Sequence, residues 1–535
     1  MVTPIPPDVR QLGTGRPVSR ILRKARQLFF FRIHGKSETL RDSLPVHEQF
    51  VRVSFRLLIL DWRDTGKPGI AGEPLTVVFA VGMDRRDLLK SGVPAVLAGT
   101  GASLAGAQEK GASGNDPSSL MENLNPVIQR CRDAALDVLK PGEKDLQHGL
   151  ELHADSIVFD SYGFSPRAAI DGEKMKAAAL AGASDIELKD LREEMTMTRY
   201  VTDAREREEY ESAWRAAGVT CIFQNAGEEG QDPERLIKRL SRFTFATDMI
   251  PDVVSKAVVP SDVEAAKKAG RHCLYFTGNG VPLTQEWVSV PDELRYLKVF
   301  YHLGIRMMHL TYQRRNMIGD GCGEESNAGL SDFGRAAVAE MNRVGVIPDC
   351  AHSGWQTSLE GAKISEKPYV ASHSIAGGIY PHIRSKPDEV IKAIADTGGF
   401  IGICCIPRYL RGAGDISALL DHIDYVVKKF GVDYVAIGTD VAYNSRNSTE
   451  ERKKAAIAGL GGRRREEFRS LWPKDDFVTT PQMADSVAWT NWPLFTVGLV
   501  QRGYSDDEIR KIIGGNVMRV LRDSAVDQVA GGATA

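Results

Sequence analysis

Eight short runs of apolar and β-branched residues punctuate the chain between residues 156 and 440. They are SIVFDSY (156–162), GVTCIFQNA (218–226), HCLYFTG (272–278) and IRMMHLTY (305–312), then GVIPDCAH (345–352), PYVASHS (368–374), GGFIGICC (398–405) and DYVAIGTD (433–440). Runs that are apolar at nearly every position predict strands buried on both faces, as in parallel sheets. Between them lie amphipathic stretches such as PDELRYLKVFYHLG (291–304), SDFGRAAVAEMNRVG (331–345) and PDEVIKAIADTGG (387–399). Ser331 is placed to cap the second helix, and all three stop at glycine. Strand and helix alternating eight times predict an α/β fold, a (β/α)8 TIM-type barrel over residues 151–524. A doubly wound open sheet produces the same alternation, usually with fewer strands and a glycine-rich phosphate loop. No G-x-G-x-x-G follows the first strand, which favours the barrel.

Residues 108–150 predict an N-terminal extension, a polar linker leading into a helical stretch that ends near Lys140. Residues 445–480, with Arg463-Arg464-Arg465, read as a solvated loop or helix at the rim. A helix at 506–523 is expected to close the outer ring, with 525–535 as a tail. Composition adds only exclusions. Over 535 residues, 42% hydrophobic and 26% charged content is ordinary for a globular protein, and a formal net charge of -2 gives no reason to expect nucleic acid or an anionic membrane as partner. The seven cysteines contain no C-x-x-C pair and fall mostly in strand-like runs, which predicts small buried hydrophobes; a disulfide between two of them stays open.

One segment stands apart. Met83-Asp-Arg-Arg-Asp-Leu-Leu-Lys90 followed by SGVPAVLAGTGASLAGAQ resembles a twin-arginine export signal, with Ala105-Gly106-Ala107 as its cleavage site. It is too short and glycine-rich to span a membrane. A chance Arg-Arg before a buried helix is the competing reading. Export signals begin chains, so 83–107 as a signal makes Met83 the start, residues 1–82 a non-native upstream extension and the destination the periplasm.

Chemistry in such barrels sits at the C-terminal ends of the strands. The fifth run ends in His352, the sixth in His373 and the eighth in Asp440. Two histidines and an aspartate facing one mouth form a constellation that can hold a metal and move a proton.

With these residues placed, the chain resembles the membrane (renal) dipeptidase family of metallopeptidases. The resemblance covers roughly 150–522 and is dense in LKVFYHLGIRMMHLTYQRRN, GDGCGEESNAGLSDFGRAAVAEMNRVGVIPDCAHSG and SHSIAGGIYPHIRSKPDEVIKAIADTGGFIG. It implies a hydrolase with two zinc ions bridged by a glutamate, His352 and His373 matching ligands of one ion and Asp440 the acid/base. Arg384 matches the arginine that holds a substrate carboxylate, and Tyr312 stands where the family has a histidine near the substrate. The other ion's ligand positions fall on Tyr162, Phe164 and Gly278 (or Asn279), none a normal zinc ligand here. His153-Ala-Asp155 mimics the missing H-x-D but precedes the strand, at the wrong end of the barrel. The joint loss implies one zinc-type ion, or none, with Asp160 as a partial substitute by strand parity. The expected activity is cleavage of a small amide or dipeptide-like substrate with a free carboxylate. The alternative is an inactive barrel that binds a small ligand or partner. Family habit implies a homodimer.

Overall fold

The computed structural model describes residues 117–227, 232–456 and 474–526. The segments read as upstream extension (1–82) and export signal (83–107), Arg463-Arg464-Arg465 and residues 527–535 of the tail lie outside the described residues.

Each of the eight apolar runs forms a strand: β1 (Phe159–Gly163), β2 (Cys221–Asn225), β3 (His272–Gly278), β4 (Ile305–His309), β5 (Ile347–Asp349), β6 (Ala371–Ala376), β7 (Ile401–Ile403) and β8 (Val435–Ile437). All pairings are parallel. One arc runs β1–β2–β3–β4–β5 and the other β6–β7–β8. A parallel bridge between Asp349 and Val370 joins β5 to β6. The last seam, β8 to β1, is closed by Asp440 N–H donating to Tyr162 O at 3.0 Å and Thr439 N–H to Asp160 Oδ1 at 2.9 Å. The result is the expected (β/α)8 barrel, with short extra strands Val254–Lys256 beside β3 and Ser385–Lys386 beside β6.

The helices follow local rules. In Asp332–Val344 the Ser331 hydroxyl accepts from Gly334 N–H, and Gly345, at φ 92°, terminates the helix in a left-handed conformation. Phe159, Phe223, Tyr275, Met307, Ile347, Val370, Phe400 and Ala436 form one buried cluster drawn from successive strands and fill the bore. Above them Ser161 Oγ donates to Ser372 O across the bore at 2.8 Å. Gly402 and Gly438 are required there, because a Cβ at either would collide with Ser372 O and Ser161 Oγ.

The C-terminal helix corrects one expectation. Val517, Met518 and Leu521 of Asn516–Ser524 belong to the bore cluster, and Asn516 Nδ2 donates to Val432 O and Val435 O, both at 2.8 Å. The helix is therefore a floor under the barrel as well as part of its outer layer. The N-terminal extension forms helices Pro126–Leu139 and Glu143–Asp155. His153 belongs to the second; its Nε2–H donates to Ala217 O at 2.9 Å and its Nδ1 accepts from the Thr496 hydroxyl at 2.8 Å. It is a structural residue below the barrel, as its position before β1 predicts. All seven cysteines are buried and free. No helix among the described residues is long and apolar enough to cross a membrane.

Candidate metal centre at the barrel mouth

The mouth is built from the ends of β1, β4, β5, β6 and β8. His352 and His373 meet with their Nε2 atoms 3.0 Å apart. Burial, reinforced by the charge of Arg384, pushes both imidazoles well below the usual histidine range, so both are neutral and keep a lone pair. The tautomer of His373 follows from its neighbours. Ser372 Oγ donates to Asp349 Oδ2 and so accepts from His373 Nδ1–H at 2.9 Å, which leaves the Nε2 lone pair of His373 aimed at His352.

A bulge creates this arrangement. Between Ala371 and Ser374 of β6 three steps oppose two on β7, breaking the strict alternation of faces. Ser372 can then reach Asp349 while the adjacent His373 reaches the mouth. Asp349 is fully buried and also accepts Ala351 N–H and Ser372 N–H on Oδ1, at 2.9 and 3.0 Å. Burial alone would raise its pKa, but nearby His309 and these donors hold it below the usual carboxylate range.

His309 and Asp349 are the residues that strand-end reading missed. His309 Nε2 lies 2.7 Å from Asp349 Oδ2, and His309, Asp349 and His373 each offer a ligand atom within 4.8 Å of the others. The other ring nitrogen of the fully buried His309, Nδ1, has no hydrogen-bond partner among the described residues. The sequence did hold a signal. IRMMHLTY looks like a strand running to Tyr312, yet β4 ends at His309, which makes His309 a strand-end residue like His352.

The positions predicted as lost ligands take other work. The Tyr162 ring stacks on His373 with centroids 3.8 Å apart, and its hydroxyl donates to Asn279 Oδ1 at 2.6 Å. Phe164 meets Tyr162 edge-on at 5.9 Å and lies under the Arg167 guanidinium. Tyr312 stacks on His352 at 4.2 Å. Gly278 ends β3 at the same level, and a Cβ there would come within 3.1 Å of Gly280 O.

Asp160 does not face the mouth. A second bulge, between Asp160 and Gly163, undoes the parity expected for β1. Its carboxylate accepts from Thr439 Oγ1 at 2.6 Å and Trp489 Nε1 at 3.2 Å, a structural clamp that closes the barrel. Arg384 is buried, with one terminal nitrogen donating to Ala351 O and the other to His373 O at 3.0 Å. It braces the main chain beside both histidines, and substrate binding would have to use its remaining N–H groups. Asp440 sits at φ 56°, a left-handed conformation rare outside glycine. Burial raises its carboxyl to about 6, against the opposing charges of Arg384, His309 and Arg167.

His352, His373, Tyr162, Tyr312 and Asp440 thus share one mouth with His309 and Asp349. Three imidazoles and a carboxylate are donor types that suit a zinc-type ion, and the buried Nδ1 of His309, which has no hydrogen-bond partner among the described residues, is an atom that a bound cation would account for.

Known proteins share the family and the fold. The model of the membrane dipeptidase family (peptidase family M19) matches residues 146–450. Among curated relatives, dipeptidase tcpJ of Claviceps purpurea is 28% identical over 239 residues, covering 44% of this chain and 48% of its own length. Dipeptidase aclJ of Aspergillus oryzae is 29% identical over 240 residues, with the same coverage of 44% and 48%. The chain thus spans about half the length of these relatives. A crystal structure of an amidohydrolase from Pseudomonas aeruginosa superposes with TM-score 0.51 at 27% identity, covering 70% of this chain and 98% of that one. The probable dipeptidase PvdM of the same organism, at TM-score 0.50 and 20% identity, covers 71% and 98% and shares the fold. The family match spans more than half of this chain and takes in β1 to β8, and the chain belongs to the membrane dipeptidase family, peptidase family M19.

Proposed function

We propose that this protein is a metal-dependent hydrolase of the membrane dipeptidase type with a reduced, single-metal site. Its substrate is a small amide or dipeptide-like molecule with a free carboxylate. The observation that carries the reading is the pair of neutral imidazoles, His352 and His373, with Nε2 atoms 3.0 Å apart at the barrel mouth. His352 and His373 would hold a zinc-type ion, which when bound would supply Lewis acidity and lower the pKa of water toward neutral pH. Asp440 takes the proton of the attacking water and passes it to the departing nitrogen. Arg384 orients the substrate carboxylate through the N–H groups it does not spend on Ala351 O and His373 O, and Tyr312 lines the same side.

Tyr162 and Phe164 turn one wall of the mouth apolar, which suits a bulkier, partly apolar acid better than a small polar dipeptide. The expected outcome is at most about one tightly bound zinc-type ion per chain, with weak or undetectable turnover of simple dipeptides such as Gly-Gly. Elemental analysis of the purified protein followed by dipeptide assays tests this; two tight ions per chain and robust Gly-Gly hydrolysis would overturn it. The second reading, a barrel that binds a small ligand without hydrolysis, draws on the stacking of Tyr162 on His373. Bound metal with no turnover of any carboxylate-bearing amide would favour it.

A further inference from the structure

The three imidazoles at the mouth form a nearly equilateral triangle. Ring centroids are 5.4 Å apart for His309 and His352, 5.3 Å for His309 and His373, and 5.0 Å for His352 and His373. A tetrahedral zinc-type ion bound by imidazole nitrogens at ~2.0–2.1 Å places each ring centre about 3.2 Å from the metal, and hence any two centres about 5.2 Å apart. The observed triangle has these dimensions; His309, Asp349 and His373 have ligand atoms within 4.8 Å of one another, and His352 joins them through His373, Nε2 to Nε2 at 3.0 Å. The rings come from three adjacent strands: His309 ends β4, His352 follows β5 and His373 lies on β6.

We propose that His309, His352 and His373 together hold one metal ion in a three-histidine centre, with Asp349 as its outer carboxylate. This rests on the metal-hydrolase reading and adds a ligand to it. His309 is fully buried with Nε2 facing Asp349 Oδ2 at 2.7 Å, and its Nδ1 has no hydrogen-bond partner among the described residues, a costly state for a polar atom unless a cation takes its lone pair. Asp349 touches His309 directly and reaches His373 through Ser372 Oγ, so one carboxylate orients two of the three ligands. Tyr162, stacked on His373 and bonded to Asn279, covers one face of that imidazole with an aromatic ring instead of a further ligand. The proposed centre is mononuclear.

The test uses the full-length protein, stripped with a chelator and reloaded with Zn(II) or Co(II). Binding is read by competition with a chromophoric chelator, and Co(II) geometry by visible absorption. The native chain should bind about one ion, with the intense visible bands of tetrahedral Co(II). His309→Ala should weaken Zn(II) binding by at least about 100-fold and collapse those bands, and Asp349→Asn should weaken binding by about 10- to 100-fold at unchanged stoichiometry. His309→Cys should add a sulfur-to-Co(II) charge-transfer band in the near ultraviolet, which arises only if position 309 touches the metal. That variant is decisive should His309→Ala fail to melt cooperatively. Unchanged affinity and spectrum in His309→Ala, or no charge-transfer band in a folded His309→Cys, would overturn the assignment while leaving a His352–His373 metal site standing. A native chain that binds no ion at all would sink both readings together.

Discussion

Asp440 shows how one side chain acquires a function from its surroundings. Its backbone closes the barrel by donating to Tyr162 O, while its carboxyl stands in the mouth with its pKa raised to about 6 by burial. As a base it must be ionised, so kcat/KM for any substrate should rise with pH through about 6 and level off above it. Asp440→Asn keeps the backbone bond and the side-chain shape. It should lower kcat by roughly two to four orders of magnitude and remove that acid limb, with metal content unchanged. Near-normal turnover in this variant would make Asp440 a structural residue. Arg384 carries the opposite lesson. A residue matched to substrate binding by resemblance spends two of its donors on the carbonyls of Ala351 and His373, so Arg384→Ala should disturb the histidine loops as well as substrate affinity.

At the scale of elements, two bulges separate this mouth from a regular one. The bulge in β6 lets Ser372 and His373 act on the same side, and the bulge in β1 turns Asp160 toward Trp489 and Thr439. Alternation along the chain could not anticipate either, because one extra residue in a pairing leaves no mark in apolar periodicity. At the ends of β1 and β3 the hydroxyl of Tyr162 and the amide of Asn279 form a neutral hydrogen-bonded pair, at the positions that the single-metal proposal reads as vacated. Neutral groups need no counter-ion, so the loss leaves no uncompensated charge. Restoring Tyr162→His, Phe164→Asp and Gly278→Glu together should therefore recover a second ion per chain by elemental analysis. Single changes should not, since each leaves an incomplete ligand set. Position 278 tolerates a side chain if Gly280 O, 3.1 Å from the new Cβ, gives by a few tenths of an ångström. A triple variant that folds and still binds one ion would show that the wall cannot be converted by its ligands alone.

For the whole molecule, two neutral histidines lie beneath the barrel: the buried His153 ties the N-terminal extension to Ala217 O and Thr496, and the half-buried His272 at the start of β3 donates from Nδ1 to Val219 O at 2.7 Å while stacking on Trp214. Burial lowers His153 to about 3 and His272 to about 4. The unfolded chain protonates both near 6.5 and the folded chain does not. Stability is therefore full above pH 6.5 and lost as pH falls toward about 4, by up to about 1.4 kcal/mol per pH unit for each group. The urea midpoint should drop between pH 7 and 5, and His153→Gln should flatten the slope; a midpoint unmoved over that range would refute the linkage. Much of this architecture was legible in the chain. Eight apolar runs became eight strands in order, and His352, His373 and Asp440 gather at one mouth because local burial patterns place strand ends and a closed parallel barrel brings those ends together. The contact of His309 with Asp349, the turn of Asp160 toward Thr439 and Trp489 and the stacking of Tyr162 on His373 were not legible. Each depends on a register shift or a through-space distance between separate strands, which exists only once the barrel has closed.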